Sequence, residues 1–158
     1  MITKTFSFLK GCSTTTEERL RSFGVHCWDD FLRTEVPFFP DYKKKQLNTE
    51  ILRAKRSLEA LNHSYFYFNL PHSEHWRIFK QFKKHTGYLD IETTGLSAYT
   101  NSITTISIWD NNKVKTFING IDLDEESLKQ ELAKYKMLVT FNGRTFDLPF
   151  IKQKFPSV

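Results

Sequence analysis

The chain has only two cysteines, Cys12 and Cys27, in neither a CxxC pair nor a disulfide framework. They are expected to be reduced, buried thiols of a cytoplasmic protein. No apolar run approaches the roughly 18–20 residues that a membrane span needs. The opening "MITKTFSFLK" has no apolar core long enough for a secretory signal. Internal repeats and low-complexity tracts are missing too. What is present reads as globular: 158 residues, 39% hydrophobic and 26% charged, enough for one ordinary domain or a small domain plus part of another. Aromatic residues make up 15%, with Phe 15 the largest contributor, so the core should be built on rings.

The formal charge of +5 is unevenly spread. Residues 1–87 hold 15 Lys and Arg against 9 Asp and Glu, whereas residues 88–158 hold 8 against 9. A basic half joined to an acidic-sited half suits a protein that holds a polyanion while a metal works on it. Taken alone, the charge is also what a solvated basic helix face would give.

Three segments are expected. Residues 1–36 should be short helices. "STTTEERLRSFG" offers Thr14 and Thr15 as N-caps with Glu17 and Glu18 three residues on, puts Leu20 and Phe23 on one face, and stops at Gly24. "HCWDDFL" turns Trp28, Phe31 and Leu32 inward. The stretch "LKGCSTTTEERLRSFGVHCWDDFL" resembles a degenerate helix-hairpin-helix module, which would grip nucleic-acid backbone; a purely structural helical pair is the other reading. Residues 37–87 form a basic helical and linker region. There "VPFFPDYKKK" is the linker, Asn48 to Asn62 is helical, and "SYFYFNL" is a strand or extended segment. "SEHWRIFKQFKKH" is an amphipathic helix with Trp76, Phe79 and Phe82 inside and Lys80, Lys83 and Lys84 outside. His72 and His75 share a helical face, but Pro71 and the lack of a third ligand speak against a metal.

From residue 88 the period changes. "GYLDIET", "NSITTISIWD" and "VKTFING" read as strands, with "NNK" as a hairpin turn. "DLDEESLKQELAKY" reads as a helix capped by Asp122 or Asp124, "KMLVTFN" as a buried strand and "RTFDLPFIKQKF" as a second helix. This order predicts an α/β domain with a mixed sheet.

Two motifs in that domain carry chemistry. In Asp90-Ile91-Glu92-Thr93-Thr94-Gly95-Leu96, strand alternation sends Leu89 and Ile91 into the core and both carboxylates to one face. Like charges held so close call for a positive partner. Gly95 allows a sharp turn and the approach of a nucleic-acid strand. In Phe141-Asn142-Gly143-Arg144-Thr145-Phe146-Asp147-Leu148-Pro149, a strand delivers Asn142 and Gly143 at its C-terminal end, and Asp147 follows in the first helical turn.

Together, D-I-E-T-T-G-L and F-N-G-x-x-F-D-x-P resemble the DEDD exonucleases of the RNase H-like superfamily. They come closest to the YprB-like members and to the proofreading domains of family B DNA polymerases. The resemblance spans about Tyr88 to Phe155 and implies an RNase H-like mixed sheet that hydrolyses phosphodiester bonds from a 3′ end of DNA or RNA with Mg²⁺ or Mn²⁺. It further implies that Asp90 bridges two metals, Glu92 holds the first and Asp147 serves the second. Hard divalent cations want carboxylate oxygen, and a metal pair about 3.5–4 Å apart can stabilise both attacking and leaving oxygens.

By the same resemblance, Thr93, Thr94, Gly95, Leu96, Asn142 and Phe146 are candidate nucleic-acid contacts, with Leu96 as a wedge beside the terminal base. Each also has a plain reading. Leu96 and Phe146 are packing residues, Asn142 is a strand-end turn, and Arg144 and Lys43 to Lys45 are solvated charge.

The family takes a fourth carboxylate and a water-activating His or Tyr from a third motif. Leu148 to Val158 contain no Asp, Glu, His or Tyr. The site is therefore expected to be incomplete here. Either a complementing chain or missing segment finishes it, or the chain is a non-catalytic nucleic-acid-binding or regulatory remnant. The proofreading part of a polymerase is a weaker third reading.

Overall fold

The computed structural model describes residues 1–158, which divide into two compact units, Met1–Gln81 and Phe82–Val158. The first is helical. After a 3₁₀ turn at Ile2–Lys4 come α1 (Thr14–Ser22), α2 (Trp28–Arg33), α3 (Asp41–Glu59) and α4 (His63–Asn69). Ser13, rather than Thr14 or Thr15, caps α1, its hydroxyl accepting from the Thr16 amide at 3.3 Å. Gly24, at φ +77°, ends that helix with amides from Gly24 and Val25 turned back to Arg21 and Leu20, and Phe23 stays exposed. Trp28 and Phe31 are buried as the pattern predicts, and the Trp28 indole donates to the Thr5 carbonyl at 2.8 Å.

Three expectations for this region fail. The linker is shorter than expected: α3 starts at Asp41, directly after Pro40, and takes in the lysine run. Proline just ahead of a helix leaves no donor to satisfy, so the two prolines mark a start and not a break. Leu47, Ile51 and Ala54 are the buried stripe of α3, while Leu52 is exposed.

"SYFYFNL" is α4 and not a strand. The Asn62 side chain caps it by accepting from the Tyr65 amide at 3.2 Å, and the four successive rings split into two buried, Tyr65 and Phe66, and two exposed, Tyr67 and Phe68.

"SEHWRIFKQFKKH" is not one amphipathic helix. It runs as 3₁₀ over His72–Ile78, α5 over Phe79–Phe82, then 3₁₀ over Lys83–His85. Winding three residues per turn shifts the phase, so Ile78 is buried and Trp76 faces out, 62% exposed.

The second unit follows the predicted order. Its strands are β1 (Thr86–Thr93), β2 (Ile103–Trp109), β3 (Val114–Ile118) and β4 (Met137–Val139), with α6 (Glu125–Leu132) before β4 and α7 (Asp147–Lys154) after it. The sheet order is β3-β2-β1-β4; β4 runs parallel to β1 and the other pairs are antiparallel. This is the mixed α/β sheet expected of an RNase H-like fold. Strand β4 is half-buried rather than buried, because it pairs with β1 alone.

Leu89, Ile91, Ile106 and Ile108 from the sheet meet Leu128 of α6 and Phe150 and Ile151 of α7 in one core. A register shift between Glu92 and Thr93 brings Ile103 onto the same side despite its odd spacing from Ile106. Close packing fixes β1 at its start. A Cβ at Gly87 would lie 3.0 Å from the Tyr135 ring, whose hydroxyl donates to Glu131 at 2.8 Å.

Candidate active site

The pleat of β1 decides the first half of the site. Leu89 and Ile91 are buried, so Asp90 and Glu92 emerge on the opposite, exposed face, as alternation predicts. Directly across the sheet stand hydroxyls: Ser107 opposite Asp90, and Thr105 opposite Glu92. Ser107 in turn hydrogen-bonds Thr116 of β3 at 3.2 Å. Neither acid has a salt-bridge partner, and the four ion pairs of the chain lie elsewhere.

The second half comes from the turn between β4 and α7. Asn142 adopts left-handed backbone, φ 54°, which Asn tolerates better than most residues. Its carbonyl accepts from the Thr145 and Phe146 amides, and its side-chain oxygen accepts from the Thr145 hydroxyl at 2.5 Å. Asn142 therefore organises the turn and has no bond to Asp90. Gly143 is buried because nothing larger fits: a Cβ there would lie 1.9 Å from the Thr140 hydroxyl oxygen. The Gly143 carbonyl then accepts from the Leu148 amide at 2.8 Å and starts α7. Pro149, in the first turn, costs no helical bond.

The tight turn puts Asp147 at the first position of α7 with 3% of its surface exposed. A helix start favours a carboxylate, and nearby backbone amides, including that of Ile91, help to keep it charged. Burial wins nonetheless. Desolvation, joined by the charge of Asp90, lifts the Asp147 carboxyl above its ordinary value. The charge of Asp90, fifty-odd positions earlier in sequence, thus reaches Asp147. No three His, Cys, Asp or Glu side chains are drawn into a single group that could hold a metal, so Glu92 does not close a three-ligand cage with the other two.

The loop after β1 carries the remaining candidates. The Thr93 hydroxyl donates to the Gly95 carbonyl at 2.7 Å. Thr94 and Ser102 clasp across the loop, amide to carbonyl at 2.9 Å and amide to hydroxyl at 3.0 Å. Gly95 is needed for space and not for a special backbone angle, since a Cβ would meet the Asn101 side chain at 2.7 Å. Asn101, unmarked by any motif, braces the loop by accepting from the Ser97 amide at 3.2 Å. Held in this way, Leu96 projects from the loop, 88% exposed. Phe146 goes the other way: it packs against the core and edges onto Phe150 at 5.5 Å. Arg144 is exposed.

Residues 87–158 match the family model RNase_H_2, of the RNase_H superfamily. This stretch is thus similar to RNase H-like domains, in keeping with its mixed sheet. Proteins of that superfamily process nucleic acids and generally use divalent metals. No curated protein and no solved structure matches the chain.

The donor chemistry suits such an ion: three carboxylates without cationic partners, one of them buried. Sequence motifs pointed to the acids. They gave no hint of Asn101, Thr140 or the hydroxyl row of Thr105 and Ser107, which depend on strand register and loop closure.

Proposed function

We propose that this chain carries a metal-dependent exonuclease site of the DEDD type, which cleaves phosphodiester bonds from the 3′ end of single-stranded DNA or RNA. The observation that carries the proposal is the buried, cation-free Asp147 carboxyl, raised by desolvation and by the charge of Asp90. Keeping an unpaired acid there weakens the fold, and a site for a hard cation accounts for it.

In this reading Asp90 and Glu92 supply mobile carboxylate oxygens from the exposed face of β1, and Asp147 supplies a fixed one from the start of α7. Bound divalent ions, Mg²⁺ or Mn²⁺, would polarise the phosphodiester and lower the pKa of a bound water. Thr105 and Ser107 hold the wall beside the acids neutral, so that no lysine or arginine competes for them. Leu96, fixed by the Thr94–Ser102 clasp, meets the terminal nucleotide.

One observation favours a second reading. Because the three acids are not drawn into one group, the domain would bind nucleic acid without cutting it. Incubation of 5′-labelled single-stranded DNA and RNA with Mn²⁺ separates the two. The nuclease reading expects a ladder of shortened products that disappears in Asp90→Asn. Binding that is indifferent to EDTA, with no ladder from the wild type, would establish the second reading instead.

A further inference from the structure

We infer that α4 and the 3₁₀ turn after it form a stacking platform for single-stranded nucleic acid. The platform lies wholly within the helical unit, to which none of the acidic residues of the proposal above belongs. On α4, Tyr65 and Phe66 face inward, leaving Tyr67 and Phe68 56% and 79% exposed. These two rings touch edge to face at 5.2 Å. Tyr67 also meets His75 at 5.5 Å and His72 at 6.1 Å, and the two imidazoles lie 4.8 Å apart. The result is a run of four rings fixed against one another on the surface. Beside His75 in the chain, Trp76 is exposed with the Arg77 guanidinium 4.7 Å from its ring.

Exposed apolar rings on this scale weaken solubility and mark a contact surface. Their occupant follows from charge. Between His63 and Lys80 the single acid is Glu74, and Arg77 already pairs with it. Helix α3, which packs on α4, is itself net basic, with Lys43, Lys44, Lys45, Arg53, Lys55 and Arg56 against Asp41, Glu50 and Glu59, and residues 1–81 as a whole hold 13 Lys and Arg against 9 Asp and Glu. Exposed rings on a net basic unit are the elements of a single-strand surface. Every base offers a π face, and the phosphates offer the charge. A duplex, whose bases are already stacked, gains nothing from the rings.

The test is fluorescence anisotropy with labelled oligo(dT) of 20 nucleotides, in EDTA and in an Asp90→Asn background. Neither metal nor cleavage then contributes, so failure of the platform and failure of the nuclease reading are read separately. The double variant Tyr67→Ala/Phe68→Ala should bind about tenfold more weakly, the loss expected of roughly one stacked base, with the salt dependence unchanged. The conservative pair Tyr67→Phe/Phe68→Tyr should retain binding. Since both rings point outward, the double variant should keep its far-ultraviolet circular dichroism.

Any of three results would overturn the inference: no affinity of the starting protein for the oligonucleotide, equal affinity of the double variant, or an equal loss on duplex DNA. Sedimentation showing a dimer that Phe68→Ala converts to monomer would overturn it as well, by giving the surface to a second copy of the chain.

Discussion

Both compact units bury a carboxylate in the first turn of a helix, and they treat it in opposite ways. Glu17 of α1 accepts from the Thr5 hydroxyl and the Phe6 amide, both at 2.5 Å, and pairs with Arg21 at 3.1 Å. Asp147 of α7 has no cation and no side-chain donor, and burial beside Asp90 pushes its carboxyl up. A third acid, Glu131 of α6, stands with Glu17. Desolvation pushes its pKa up, yet hydrogen bonds from Lys134 and Tyr135 hold it below the usual range. An acid that staples a fold is satisfied on every side. Asp147 is left short of partners, and under the proposed function that shortfall is what a metal or substrate would use.

Removing the staple should cost most. Glu17→Ala strands the Thr5 hydroxyl and the Phe6 amide in the core, and chemical denaturation should show a loss of about 3 kcal/mol. An unchanged denaturation midpoint would erase the contrast between the two acids.

Gly143→Ala should follow at about 2 kcal/mol, the scale of overpacking a filled site, because the new Cβ collides with Thr140. As that turn delivers Asp147, any metal-dependent activity should fall with it. A variant of full stability and full activity would show that the turn does not position the acid.

Tyr135→Phe, which deletes one donor to Glu131, should cost about 1 kcal/mol. It should also let the Glu131 carboxyl rise toward its ordinary value, observable by NMR titration.

The smallest effect should have the opposite sign. A carboxyl whose folded pKa lies above the unfolded value favours folding in its protonated form. Its stabilising contribution is complete below the unfolded value, about 3.9 for Asp, and is lost as pH rises through the folded one. At pH 7, above the unfolded value, folding carries a penalty from this group. Asp147→Asn should therefore raise the melting temperature slightly at pH 7 and flatten its acid-side pH dependence. It should also lose any stabilisation that Mg²⁺ or Mn²⁺ gives the wild type. A lower melting temperature in this variant would mean that the carboxylate is structural after all, like Glu17.

The second unit was legible in sequence almost element by element. Its strands alternate cleanly, as at Leu89-Asp90-Ile91-Glu92, and Asp124 caps α6 through the Ser127 amide as the pattern suggests. The first unit was harder to read for a physical reason. Four consecutive aromatic residues, Tyr65 to Phe68, have neither a two-residue nor a 3.6-residue period, so the Asn62 cap and packing on α3 decide their conformation. Trp76 misleads in the same way. A large apolar ring reads as core, but the 3₁₀ winding after Pro71 rotates it outward.

What the sequence fixes by itself is local: the pleat that sets Asp90 and Glu92 on one face, and the alternation that picks out a core. Only the tertiary structure decides charge. Asp147 acquires its strained ionisation from the packing of α7 against β2 and from an acid on a strand far earlier in the chain. Desolvation and Coulomb forces act through space, and no run of neighbouring residues encodes them.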